Sequence, residues 1–368
     1  MTDAILDSAK VEAPFSAAQC LNAVARTYGK SPLAQVRDFM RLHFGPGRLS
    51  LQEYYQFRLF DDSRYSADDK RRFLGHKAQK LLYARHIPMN WRATVGDKIV
   101  FYALFAGLGF PVPRTTALMH PHREFGDAEI LRDTAALEYY LRDPHNYPFF
   151  GKPVDGMFSL GVACAEAYNA EHDCVVLSGS RRISVPDFVA AAADYFGRGY
   201  LLQERLEPHP EIAPLCDSRV STIRLMVMLG PDGPEIFQAL WKIPGRGNVA
   251  DNFWRDGNML AALDVQSGRV QRVVRGVGPA QESLSVHPDT GAAMEGFTLP
   301  HWQSVTDLAL RAAKAIPGLP LQAWDIALCP SGPVLVEANI GGDVNLPQIA
   351  WGKGIMNGRL AAFLENRV

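Results

Sequence analysis

The sequence predicts a mixed α/β protein: a helical N-terminal region, then at least two sheets. Three features lead there. Apolar residues recur at helical spacing through residues 1–95. Beyond about residue 110 the period shortens to strand-like runs, and several of those runs are joined by Gly/Pro turns that suit antiparallel hairpins.

In the first region, segments 32–43, 51–60 and 67–84 carry the helical pattern, separated by Gly and Asp clusters. A further helix is expected over 97–108, with Asp97 as cap, Gly109 as stop and Pro111 and Pro113 beyond. Strand-like runs follow at 147–153, 174–177, 200–204, 222–229, 235–242, 259–264, 321–328 and 333–340. Helical stretches lie among them at 134–142, 185–196 and 302–315. The turns at Gly230-Pro231-Asp232-Gly233-Pro234 and Pro330-Ser331-Gly332 mark hairpins.

At 368 residues the chain is long for one core, so two or three packed subdomains are expected. A formal net charge of −1 without long basic runs argues against nucleic acid or a membrane as partner. The N-terminus is acidic without an apolar core segment, unlike a signal peptide, and the longest apolar run, 99–110, is too short to span a bilayer. Five scattered cysteines without a C-x-x-C pair read as thiols in a reducing compartment, so the expected location is cytoplasmic. Self-association as a homodimer is left open.

The most informative segment lies near the C-terminus. Alternation in 333–340 puts Leu335, Glu337 and Asn339 on one face. With Pro330-Ser331-Gly332 as a three-residue loop, Asp325 falls opposite Glu337, and two facing carboxylates repel. A hard cation between them relieves that repulsion. Asp325, Glu337 and Asn339 supply the oxygen donors that suit Mg2+, with Mn2+ as a substitute. The alternative is an exposed sheet face on which Glu337 and Asn339 are merely solvated.

Asp325, followed twelve residues later by Glu337 in Val-x-Glu-x-Asn, resembles the metal-binding end of the ATP-grasp fold, shared by D-alanine–D-alanine ligases and ribosomal-protein glutamate ligases. Other elements resemble that family in the same order. Asp97-Lys98 leads to Gly109-Phe110-Pro111-Val112-Pro113, like the family's first ATP-contacting lysine. Phe149-Phe150-Gly151-Lys152-Pro153 with Gly156, Ser159, Gly161 and Val162 looks like the second lysine and its phosphate loop. The stretch from Tyr200 to Leu206 resembles the adenine-reading hinge, Ser221-Thr222-Ile223-Arg224 the catalytic-arginine strand, and 251–257 the segment before the next hairpin. Residues 51–58, His209-Pro210 and 347–353 are similar to the sugar-transfer-associated subgroup. One departure is Ile340-Gly341-Gly342-Asp343 after the metal asparagine: either Asp343 touches an amine substrate, or the change alters the choice of acceptor.

The resemblance implies two α+β subdomains gripping ATP, preceded by a helical region. The divisions are 1–95, 96–206 (both lysines, glycine loop and hinge) and 207–368 (catalytic arginine and Mg2+ site). It implies that Lys98 and Lys152 neutralise phosphates, beneath backbone N–H groups of a loop that is not a Walker A motif. Gln203, Glu204 and Leu206 would meet adenine, and Glu211 or Glu207 the ribose. Arg224, Lys242 and Asn252 would act at the transferring group. Arg224 alternates with Ile223 and Leu225 and so faces away from their side, with Lys242 as its diagonal neighbour across the hairpin. A salt bridge to an acid elsewhere on the sheet is the structural alternative for Arg224, and a solvated strand end that for Lys152. His120-x-His122 and His172-x-Cys174 read as ordinary loop residues.

The implied reaction joins a small-molecule carboxylate to an amine. ATP forms an acyl phosphate and ADP, and the amine then makes an amide bond. The alternatives are a kinase or thiol ligase on the same fold, or a nucleotide-binding protein without turnover.

Overall fold

The computed structural model describes residues 16–156, 159–216 and 219–365. Seven helices come first: α1 (Ala17–Tyr28), α2 (Pro32–His43), α3 (Leu51–Gln56), α4 (Ala67–Arg71), α5 (His76–His86), α6 (Ala93–Gly96) and α7 (Lys98–Gly107). Serines open four of them: Ser16, Ser31, Ser50 and Ser66 each accept a first-turn N–H.

Two of the expected helices are shorter than the pattern implied. The run 67–84 breaks into α4 and α5 because Phe73 and Leu74 turn into the core and Gly75 packs against Glu53. A Cβ at Gly75 would lie 2.7 Å from the Glu53 carboxylate, so no side chain fits. The run 51–60 stops at Gln56, since Phe57, Leu59 and Phe60 are all buried and Arg58 adopts φ 59°. Such continuous burial does not fit one face of a helix.

The first sheet holds β1 (Thr115–Met119), β2 (Glu129–Leu131), β3 (Phe149–Pro153), β4 (Ala163–Asn169), β5 (Cys174–Leu177), β6 (Arg181–Ser184) and β7 (Tyr200–Glu204), in the order β2-β1-β7-β3-β4-β5-β6. Only β1 and β2 run parallel. Helices α8 (Thr134–Arg142) and α9 (Val185–Ala193) cover this sheet through Leu137, Leu141, Phe188 and Val189.

The second sheet is antiparallel, in the order β12-β11-β10-β9-β8-β13-β14. Its strands are β8 (Thr222–Gly230), β9 (Gly233–Ile243), β10 (Met259–Leu263), β11 (Val270–Arg275), β12 (Glu282–Leu284), β13 (Leu321–Cys329) and β14 (Gly332–Ile340). On one face it packs α10 (Trp302–Ala315) and α7, whose Phe101 and Phe105 meet Trp324. On the other lie the N-terminal helices and α11 (Asn345–Trp351), before α12 (Gly358–Glu365) ends the fold. Covered on both sides, β13 is buried along its whole length. Each large apolar side chain that this sheet removes from water, such as Trp241 on β9 or Trp324 on β13, stabilises the fold by roughly 1.5–3 kcal/mol.

Helix α7 ties the two sheets together. The Lys98 N–H donates to Val154 O at the end of β3, and the Tyr102 hydroxyl donates to Val336 O on β14. Among the described residues no helix is long and apolar enough to cross a membrane, and none of the five cysteines forms a disulfide.

Candidate functional site

A cavity of about 1770 Å³ opens between the sheets, lined from β3, β7, β8, β13 and β14 and, at one end, from α3 and α5. Asp325 pairs with Glu337 across β13 and β14, as the hairpin count requires. The route differs from the expected one. Cys329 pairs with Gly332, so the loop has two residues, and a bulge at Val336 restores the register.

The expected uncompensated repulsion between these carboxylates is absent. Arg224 grips Asp325 with both prongs, Nε to Oδ1 and Nη2 to Oδ2, each at 2.7 Å. Lys242 donates to Asp325 Oδ2 at 3.0 Å and lies 3.4 Å from Asp251. Lys242 sits opposite Thr222, diagonal to Arg224, and the Thr222 N–H and hydroxyl both donate to Asp251. Asp325 is 1% exposed, whereas Glu337 and Asn339, the residues of the solvated-face alternative, are partly exposed, and the salt-bridge alternative for Arg224 is realised. Burial disfavours the Asp325 charge, yet Arg224 and Lys242 overcome it and hold the carboxyl well below its usual range. Burial likewise opposes the Lys242 charge, but Asp251 and Asp325 raise its pKa overall.

The donor chemistry fits a hard cation. Asp325 Oδ1 accepts a single bond, from Arg224, and retains a lone pair. Asn339 donates its Nδ2 to Glu337 Oε1 at 3.2 Å, which leaves its own Oδ1 as an oxygen donor beside the carboxylates. Among the described residues no three His, Cys, Asp or Glu side chains cluster as a metal site, so the set consists of two carboxylates and an amide. His120 spends Nδ1 accepting from the His122 and Arg123 N–H groups.

Two lysines converge beside this cluster. Lys98 Nζ donates to Gly156 O at 2.8 Å, and Lys152 Nζ donates to the Tyr102 hydroxyl at 2.6 Å and lies over its ring. Lys152 is 7% exposed, so it is no solvated strand end. Burial, reinforced by Lys98, pushes its pKa down to about 7, with Glu337 opposing. Neither lysine has a carboxylate within ion-pair distance among the described residues. Two buried cations held by neutral oxygens form a seat for an anion.

Around that seat, Ser159 and Gly161 adopt φ 55° and 73°. The Arg255 guanidinium donates to Ser159 O at 2.7 Å. Gly161 does not line the cavity: its backbone packs on Tyr195, and its carbonyl accepts from the Tyr200 hydroxyl, so glycine is required there by close approach. Gln203 lines the cavity with its amide tied to Thr115, and Glu204 receives the Arg114 N–H on its carboxylate. Leu206 and Val336 give the same end apolar walls. The expectation for Glu211 needs correction. It lies in an exposed turn after Pro210, outside the cavity, whereas Glu207 lines it. Asn252 also lines the cavity, with its Oδ1 accepting from the Trp254 N–H.

Sequence reasoning gave no site role to Tyr102, Asp251 or the N-terminal wall. Tyr102 falls one helical turn after Lys98, which was a usable signal. Asp343, singled out for its unusual position, is half-buried in the cavity wall, where its oxygens accept from Asn345 N–H and Trp254 Nε1. Burial raises its pKa.

The family described as sugar-transfer associated ATP-grasp matches residues 79–363. Among solved structures, the chain is similar to D-alanine–D-alanine ligase from Bacillus anthracis complexed with ATP, at 11% identity and TM-score 0.41, covering 76% of this chain and 68% of that one. It is also similar to D-alanine–D-alanine ligase from Coxiella burnetii, at 12% identity and TM-score 0.45, covering 79% of this chain and 63% of that one. A third is N5-carboxyaminoimidazole ribonucleotide synthetase from Thermotoga maritima, at 13% identity and TM-score 0.35, covering 73% and 49%. The chain thus spans between half and about two thirds of the length of these structures. No curated protein sequence matches it.

Proposed function

The chain belongs to the sugar-transfer associated ATP-grasp family, and from that premise we propose that it is an ADP-forming ligase joining a carboxylate to an amine through an acyl phosphate. ATP and Mg2+ are the cofactors. One observation carries the reading: Lys98 and Lys152, buried without carboxylate partners, lie beside the Arg224–Asp325–Lys242 cluster and the Asp325–Glu337 pair in one cavity.

Phosphoryl transfer asks a protein mainly for positioning and charge neutralisation. Lys98 and Lys152 take the triphosphate, and an anion there draws the Lys152 proton equilibrium toward the charged form. Leu206 and Val336 flank the base, with Glu204 in reach of its amino group. Arg224 and Lys242, aimed by Asp325 and Asp251, hold positive charge where the transferring group gains negative charge. Asp325, Glu337 and Asn339 would hold Mg2+, which when bound supplies charge to the phosphate oxygens. The division into a lid part over 96–206 and a catalytic part over 207–368 accompanies this reading. The first sheet then covers the phosphates and the second carries the charged cluster.

Hydroxylamine with ATP, Mg2+ and candidate carboxylates tests it. A hydroxamate together with ADP is expected. AMP and pyrophosphate would mean adenylation and would overturn the acyl-phosphate mechanism.

A further inference from the structure

Uncharged amides from three elements wall the end of the cavity that α3 and α5 line. Gln56 comes from α3, Gln79 from α5 and Asn345 from the start of α11, with Asp343 and Trp254 beside them. Glu53 fixes the first two helices against each other. Its carboxylate accepts the Ser50 N–H at the start of α3 and the His76 N–H at the start of α5. Gln56 follows Glu53 by one helical turn, and Gln79 follows His76 by one. The chain after β14 is shaped to meet them: Gly341 and Gly342 adopt φ 62° and 70°. A Cβ on Gly341 would lie 2.3 Å from the Tyr83 ring, and one on Gly342 2.7 Å from Ala323 Cβ, so only glycine fits at either position.

Hydrogen bonding in this wall is incomplete. Gln56 is 7% exposed and lines the cavity, and its carboxamide makes no hydrogen bond among the described residues. Gln79, 6% exposed, donates Nε2 to Gly342 O at 2.7 Å. That bond fixes which way its amide faces and leaves Oε1 buried without a donor. Asn345 Oδ1 is likewise buried without a donor. Asp343 receives the Asn345 N–H on one oxygen and Trp254 Nε1 on the other, so each oxygen keeps a free lone pair. Buried amides left unpaired in this way cost stability and are uncommon in folded proteins. What the wall lacks is a donor. Charge narrows the class further. Asp343 faces Arg224 and His76, and Lys77 and Lys80 line the same end, so a neutral N–H or O–H group suits this wall better than a cation.

We propose that Gln56, Gln79, Asp343 and Asn345 bind the neutral nucleophilic group of the second substrate, an amine or a hydroxyl, through its N–H or O–H donors. Gly342 and Asp343 directly follow the strand that carries Glu337 and Asn339, so a group held here lies beside the reacting end of the cavity. The assignment to the second substrate rests on the ligase reading. The donor-binding subsite itself does not.

The test uses the full chain saturated with Mg2+ and the non-hydrolysable analogue AMPPNP. Four small probes are titrated at pH 7.5 and followed by ligand-observed NMR: aminoacetonitrile as a neutral amine, ethylene glycol as a hydroxyl donor, ethylamine as an ammonium, and acetonitrile, which has no N–H or O–H. The proteins are the wild type, Gln56→Leu, Asp343→Ala and a control, Lys314→Gln on α10. Saturable binding of aminoacetonitrile or ethylene glycol is expected in the wild type and control, at least fivefold weaker binding in both wall variants, and weaker binding of ethylamine and acetonitrile throughout. Which of the two donors binds tells an amine acceptor from a hydroxyl acceptor. Gln56→Leu should keep AMPPNP affinity within twofold and melt no lower than the wild type, because Gln56 gives up no hydrogen bond. Absence of saturable donor binding, equal binding of acetonitrile, or equal binding by both wall variants overturns the proposal. If the donors bind as expected while hydroxylamine traps nothing, the ligase reading fails and the subsite stands. A hydroxamate without donor binding means the reverse.

Discussion

Lys152→Met should make the protein more stable and deprive it of nucleotide. The folded pKa of about 7 lies below the ordinary 10.5, so between these values the unfolded chain binds more protons. Stability should therefore rise as pH increases through that window. At about 1.36 kcal/mol per pH unit, the gap corresponds to about 4 kcal/mol of destabilisation at neutral pH. Methionine keeps the length of the side chain and removes this cost. It also removes the bond to the Tyr102 hydroxyl, about 1 kcal/mol, while Tyr102 keeps Val336 O as partner. The net gain is about 3 kcal/mol, which for a chain of this length means a Tm higher by roughly 4 °C. The assay is thermal melting at pH 6.5 to 9 for both proteins, with ATP affinity measured alongside. The wild type should gain stability toward pH 9, the variant should lack that rise, and ATP affinity should fall by roughly 10–100-fold. A variant that melts lower at pH 7 and binds ATP like the wild type would refute the buried-cation account.

Asp325→Asn leaves Arg224 and Lys242 buried without their shared carboxylate, so urea melts should show a loss of about 3–5 kcal/mol; a loss below about 1 kcal/mol would mean the cluster is not structural. Glu337→Gln should retain the wild-type Tm within about 2 °C, because Asp325 is already compensated, while ADP release across a Mg2+ titration falls to background. Unchanged turnover at limiting Mg2+ would remove Glu337 from the metal set. Tyr102→Phe takes the hydroxyl from both Lys152 and Val336, and should weaken ATP binding several-fold with a stability loss of about 1–2 kcal/mol; equal affinity would show that Tyr102 does not position Lys152.

Local pattern made some of this legible. Asp97 caps α7 as its sequence indicated, and counting through the Pro330–Gly332 turn placed Asp325 opposite Glu337. The loop is one residue shorter than assumed, and the bulge at Val336 compensates, a feature that alternation alone does not reveal. What depends on distant partners was hidden. The Arg224–Asp325 pair joins residues 101 apart and follows from the β8–β13 register, which no local signal carries. The Gln79–Gly342 bond spans 263 residues and brings the N-terminal helices to the cavity. Lys152 reads locally as a strand-end lysine, and only α7 packed across it makes it buried. Glu211 went astray because a turn residue's direction depends on loop geometry rather than on spacing.

The central claim is that one cavity seats the triphosphate on Lys98 and Lys152 and a divalent cation on Asp325, Glu337 and Asn339. A crystal structure with AMPPNP and Mn2+, phased for anomalous scattering, tests it most directly. The account predicts an anomalous peak coordinated by Glu337 and by nucleotide phosphate oxygens, with the Lys98 and Lys152 ammonium groups in contact with the phosphates. A nucleotide bound away from both lysines, or a Mn2+ peak with no ligand among Asp325, Glu337 and Asn339, would contradict it.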